Sequence, residues 1–245
     1  MSAAERVALG VQRTVGLASA VVWIPAVVGL MRFGLSWRLD GTAAARARYR
    51  ELYAECRPLL VCANHLTMID SALVAWALGS PLWYLRHFGA LPWNTPERRN
   101  FASSPVQRLL VWLMKCVPIE RGGERARVAQ VLARVTHLLA RGESVLVFPE
   151  GGRSRSGRVE IENATYGVGR LVQALPGCRV LCVYIRGAHQ ETFSDLPAHG
   201  DRFHVATAVL EPTSALRGLR GERDIARQIV GTLVALEERW LHARQ

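Results

Sequence analysis

Four short apolar runs, "PLLVCA", "SVLVF", "CRVLCVYI" and "FHVATAVL", are spaced along the 245 residues with helix-like stretches between them. Runs this short, bounded by turn residues and lacking polar alternation, suit strands buried on both faces. Buried strands alternating with helices restrict the chain to an α/β sandwich, with a mixed, mostly parallel sheet flanked by helices. Around these strands, residues 42–56 read as a charged helix stopped near Pro58, and a helix runs from about Thr67 to Leu78, ended by "GSP". "LWYLRH" reads as a further strand. "SPVQRLLVWLMKC" reads as an amphipathic helix with Pro105 in its first turn. Helices are expected over Glu124 to Ala140, over "NATYGVGRLVQAL" and over "ERDIARQIVGTLVALEERWLHAR" at the end.

Length suits one domain, residues 41–245, preceded by a distinct segment, residues 1–40. Half the residues are apolar, which excludes general disorder. In that first segment, 18 uncharged residues lie between Arg13 and Arg32, at the lower edge of a bilayer span. Pro25 in their middle is expected to break a helix into two apolar pieces. With arginines at 6, 13, 32 and 38 flanking them, the pieces suit a helical hairpin sunk into one leaflet. A cleaved leader lacks a convincing small-residue cleavage site. A helix packed on the domain is the remaining alternative.

A balance of 31 basic to 20 acidic residues, all the basic ones arginine except Lys115, makes a surface that draws anions. Nucleic acid is disfavoured as a partner, because no helix-turn-helix, zinc-finger spacing or aromatic–basic interleaving is present. Anionic lipid and phosphate fit instead. Five cysteines without a CxxC pair suit reduced, buried thiols in the cytoplasm. Cys62 and His65 lack a second ligand pair, so no metal site is expected.

Two stretches carry chemistry. In "VCANHLTMIDSAL" a buried strand runs into Asn64 and His65, and Asp70 follows five residues later. Five helical steps would separate the two side chains, so the histidine belongs in the loop before a helix that Thr67 would cap. Asp70 then sits on the first turn, where it could orient the imidazole as a base for an activated hydroxyl. It could equally serve as a capping-box partner that satisfies backbone N–H groups. In "VLVFPEGGRSRSG" a strand ends in glycines followed by Arg153, Arg155 and Arg158 around Ser154 and Ser156. Close backbone approach and guanidinium forks suit phosphate oxygens, although a solvated basic turn has the same composition. GxSxG and GK[ST] are both unmet, which excludes a serine-hydrolase elbow and a Walker loop.

In this order the motifs resemble the glycerophospholipid acyltransferase family, nearest to bacterial 1-acylglycerol-3-phosphate acyltransferases. Asn64, His65 and Asp70 meet NHxxxxD. Val117 to Arg121 resembles the apolar stretch ending in arginine. Phe148, Pro149, Glu150, Gly151, Arg153 and Ser154 match FPEGTRS, and Val180 to Gly187 approximates VPVxIxG. Gly152 replaces the usual threonine, and Cys182 replaces a proline.

The resemblance implies transfer of a fatty acyl group from acyl-CoA or acyl carrier protein to a lysophospholipid hydroxyl. His65 and Asp70 would be catalytic, with Asn64 in support. Arg121, Glu150, Gly151, Arg153 and Ser154 would bind the acceptor phosphate, and no cofactor or metal would be needed. The implied setting is the cytoplasmic face of the inner membrane. Other acceptors, such as an amino-acid lysolipid or a polyene or pigment headgroup, remain open through Gly152. A non-catalytic protein that docks on anionic membranes is the other alternative.

Overall fold

A computed structural model describes residues 1–98, 104–120 and 122–243. Its centre is a six-stranded sheet: β1 (Arg38–Asp40), β2 (Leu59–Ala63), β3 (Trp93–Asn94), β4 (Val145–Val147), β5 (Arg179–Gly187) and β6 (Arg202–Leu210), in the order β1-β6-β5-β2-β4-β3. Only the β5–β6 pairing is antiparallel. The mixed, mostly parallel sheet matches the reading of the apolar runs, and β2 is buried along its whole length.

Successive side chains of a strand point to opposite faces, and the core divides accordingly. Leu60, Cys62, Val180 and Cys182 face one layer, formed by α6 (Arg125–Ala140), α7 (Tyr166–Gln173) and the terminal α8 (Gly218–His242). Leu59, Val61, Ala63, Leu181 and Val183 face the other. That layer holds α1 (Ala3–Gly29), α2 (Thr42–Ala54), α3 (Asp70–Leu78) and α4 (Pro81–Arg86). A further helix, α5 (Pro105–Leu113), packs against α1, where Gly16 leaves room for the Leu113 carbonyl.

Three expectations are corrected. The segment around Pro25 is not a hairpin. α1 runs through it unbroken to Gly29 and ends in a π-helical turn, Leu30–Gly34. Ala20, Ile24 and Met31 are buried on the domain along this length, and that packing outweighs the hydrogen bond that proline cannot make. "LWYLRH" is helix α4, because Ser80 caps it by accepting from Trp83 N at 3.3 Å and Pro81 occupies the first turn. Thr67 does not cap α3, which begins at Asp70.

α1 is the one helix among the described residues long and apolar enough to cross a membrane, and 22% of its apolar window is buried. It is also tied down. Glu5 pairs with Arg134 on α6 at 2.9 Å, and Gln12 donates to the carbonyls of Trp112 and Cys116 at 2.9 Å each.

Candidate active site

β2 and β4 are parallel neighbours in the register Cys62↔Val147. Three residues past each of these positions stand His65 and Glu150, so the ladder delivers them side by side at the C-terminal edge of the sheet. Glu150 Oε1 accepts the His65 backbone N–H at 3.0 Å, and the His65 carbonyl accepts from Ser154 N at 2.8 Å. The loop after β4 thus holds both backbone polar groups of the histidine. Asn64 extends the ladder on the other side. Its amide donates to the Ile185 carbonyl at 3.0 Å and accepts from Ile185 N at 2.8 Å, joining the end of β2 to β5.

The Asp70 carboxyl turns back over the loop. Oδ2 lies 3.0 Å from His65 Nδ1 and accepts from Leu66 N at 2.6 Å and Thr67 N at 2.7 Å, while Oδ1 accepts the Thr67 hydroxyl. The catalytic and capping readings of Asp70 are therefore not alternatives, since one buried carboxylate fixes the loop and the ring together. A group ringed by donors acts as acceptor, so Nδ1 carries the ring proton and Nε2 keeps its lone pair. Phe148 stacks on the ring at 4.1 Å between centroids and 16° between planes, which fixes its tilt.

His65 opens onto a cavity of about 290 Å³. Its walls are mostly apolar: Trp23 and Val27 from α1, Met31 from the π-helical turn after it, Ile69 and Ala72 at the start of α3, and Met114 after α5. Arg153 sits on its rim. Arg153 Nη1 donates to the Ser194 carbonyl at 3.0 Å and to Asp195 Oδ1 at 2.6 Å, and its guanidinium lies over Phe193.

Gly151 has φ +69, and a Cβ there would strike Thr165 Cγ2 at 2.3 Å, so only glycine serves. Ser154 is buried and donates its hydroxyl to the Arg158 carbonyl at 2.6 Å, which makes it part of the loop's own framework. Gly152 and Arg155 line a separate hollow over the loop. Arg158 pairs with Glu237 of α8 at 2.9 Å. Arg121 lies outside the described residues.

Burial pushes the Glu150 carboxyl up to about 8; the His65 N–H pulls it down and neighbouring Glu237, Asp70 and Glu160 push it further up. Its Oε2 is buried and has no hydrogen-bond partner among the described residues.

Sequence reasoning missed two residues that organise the site. Glu237 also receives Val159 N at 3.1 Å and Arg186 Nη1 at 3.4 Å, anchoring the basic loop to α8. An acidic residue on the apolar stripe of Ile229, Leu233, Leu236 and Trp240 was the available signal. Asp195 gave none. Among the described residues no three His, Cys, Asp or Glu side chains gather as a metal site.

A mostly parallel sheet, with an oriented histidine at its C-terminal edge lining an apolar cavity, defines an α/β protein with a candidate ligand site at that edge. Residues 46–186, more than half of the chain, match the family model described as Acyltransferase, and the chain belongs to that acyltransferase family. A search of curated proteins finds no match.

Proposed function

We propose that this acyltransferase moves a fatty acyl group from acyl-CoA or acyl carrier protein to the hydroxyl of a lysophospholipid, foremost 1-acylglycerol-3-phosphate, giving phosphatidic acid. The observation that carries the reading is the 3.0 Å contact between His65 Nδ1 and Asp70 Oδ2, with the ring at a cavity whose rim holds Arg153. His65 Nε2 takes the hydroxyl proton as the acceptor oxygen attacks the thioester carbonyl. The tetrahedral adduct then collapses, the carbon–sulfur bond breaks, and the leaving thiolate recovers the proton from the imidazolium. Asp70 stabilises that imidazolium and keeps the ring oriented, as in other His–carboxylate pairs. The apolar cavity accommodates an alkyl chain, and Arg153 offers a guanidinium fork to the headgroup phosphate, with Arg121 as its expected companion. The chemistry calls for no metal or redox cofactor. Gly152 favours a second reading with the same reaction and a different headgroup, because it leaves this loop without the threonine hydroxyl usual in the motif.

The same reading places the protein on the cytoplasmic face of the inner membrane, with α1 lying in one leaflet. Glu5 and Met31, near opposite ends of the helix, are both held by the domain. Contacts to the domain near both ends support a helix that lies along the surface over one that crosses the bilayer. Its outward Val7, Val15, Val22 and Phe33 supply the apolar face that a leaflet would cover.

The test is thiol release from acyl-CoA by the full-length chain, with products identified by mass spectrometry from a mixed pool of lysolipid acceptors. Release that depends on acceptor, with diacyl phospholipid formed, is the expected result. Release that is indifferent to every lysolipid would end the proposal.

A further inference from the structure

Arg153 is the one described residue to which the proposed function gives the acceptor phosphate, yet it already has an anionic neighbour. Three consecutive residues hold it: Phe193 lies beneath the guanidinium with 5.3 Å to the ring centroid, the Ser194 carbonyl accepts from Nη1 at 3.0 Å, and Asp195 Oδ1 accepts from the same nitrogen at 2.6 Å. These residues belong to the site itself. Ser194 N donates to the Leu66 carbonyl at 3.0 Å and Met68 N donates to the Asp195 carbonyl at 3.3 Å, so the segment lies alongside the loop between His65 and Asp70.

The three contacts differ in kind. Those from Phe193 and the Ser194 carbonyl position the guanidinium without cancelling its charge. Asp195 cancels charge and takes up an Nη1 hydrogen. Its side chain is 78% exposed while that of Arg153 is 25% exposed, so the carboxylate reaches in from solvent to a cation held by the protein. A phosphate approaching Arg153 meets a partly neutralised guanidinium and a negative charge beside it.

We infer, resting on the acceptor reading above, that Asp195 is a specificity-determining residue: its carboxylate competes with the acceptor's phosphate for Arg153 and so sets how strongly the site favours anionic headgroups. Removal of the charge leaves Arg153 in place through Ser194 and Phe193 and restores its full positive charge to the acceptor, while the asparagine carbonyl can still accept the Nη1 hydrogen. Asp195→Asn therefore improves acceptor binding, an effect that general damage to the fold does not produce.

The experiment measures thiol release from acyl-CoA by the full chain with 1-acylglycerol-3-phosphate as acceptor, for wild type, Asp195→Asn, Arg153→Gln and the double variant. Asp195→Asn lowers the acceptor KM about two- to fivefold, the scale of an exposed ion pair, and leaves the donor KM where it was. The gain shrinks as salt screens the charges and disappears in the Arg153→Gln background. An acceptor KM that is unchanged or raised in Asp195→Asn overturns the inference, as does the same gain without Arg153. Wild-type enzyme that transfers nothing to the phosphate acceptor overturns the acceptor reading and this inference with it. Active wild type with an unresponsive Asp195→Asn overturns the inference alone.

Discussion

Strand β4 has a buried glutamate at each end, and the two live under opposite conditions. Glu143, just before the strand, is fully paired: Oε2 accepts from Lys115 Nζ at 2.7 Å and Trp93 Nε1 at 2.8 Å, and Oε1 accepts from Arg13 Nε at 2.5 Å. Lys115 is completely buried, and its remaining hydrogens go to the carbonyls of Phe88 and Leu91. Burial alone would push the Glu143 carboxyl up, but these partners hold it below its ordinary value. Glu150, just past the other end, spends one oxygen on the His65 N–H and keeps the other without a partner among the described residues. Its carboxyl is pushed up to about 8. One end of the strand closes its valences and fastens α1 to the domain. The other leaves a buried carboxyl oxygen without a partner among the described residues and an imidazole that lines a cavity, at the sheet edge where α/β folds gather ligands.

That contrast breaks most visibly at His65. His65→Ala removes the proposed base, and the transfer rate falls by ~10² to 10⁴. On the leaflet reading proposed above, membrane association is retained, since the outward side chains of α1 are unchanged. More than a tenth of wild-type turnover in a thiol-release assay ends the assignment.

At the closed end the same kind of change acts on stability. Glu143→Ala strips Lys115 and Arg13 of their shared carboxylate and leaves a buried ammonium without a counter-charge, at a cost of about 3–5 kcal/mol. Thermal unfolding reads this directly. A variant that melts like wild type but loses acceptor affinity would reverse the roles given to the two ends.

Much of this arrangement is legible in the sequence, and the rest is hidden for physical reasons. The short apolar runs became β2, β4, β5 and β6; β2, β4 and β5 are largely buried and advertise this by composition, while β6 is only partly buried. The short edge strands Arg38–Asp40 and Trp93–Asn94 have no such signature. A serine–proline pair is informative at Ser104–Pro105, where it opens a helix, whereas the same pair at Ser80–Pro81 reads in the sequence only as the end of the preceding helix although it caps α4 in the same way. Pro25 misled because tertiary packing overrode a local rule. His65 and Asp70 lie five residues apart, so their meeting could be inferred. Glu237 and Asp195 reach the site across 79 and 42 residues of chain, from Arg158 and Arg153 respectively, and no local pattern encodes such contacts.

Glu150 sharpens the comparison through pH. Its folded value of about 8 lies above the ordinary 4.5, so the folded protein holds a proton that the unfolded chain has released. Stability conferred by that proton is complete below about pH 4.5 and is lost as pH rises through the window up to about 8, by at most about 1.4 kcal/mol per unit. Glu150→Gln cannot ionise and lacks this slope. Melting temperatures of the two proteins therefore diverge from pH 5 to pH 8 in favour of the variant. Parallel curves would mean that Glu150 is ionised in the fold, and the two ends of β4 would then be alike in charge.

The smallest effect concerns the rim of the open end. Arg153→Lys keeps the positive charge but not the planar fork, so a phosphate loses one of two parallel hydrogen bonds. Such a loss is about 1 kcal/mol, or roughly a fivefold rise in acceptor KM, with kcat less affected because His65 is untouched. The effect is modest because Asp195 already shares the guanidinium in the resting site. A lysine that matched arginine in acceptor KM would show that only net charge matters at the rim. Specificity would then depend on the shape of the loop that Gly151 and Glu237 hold in place.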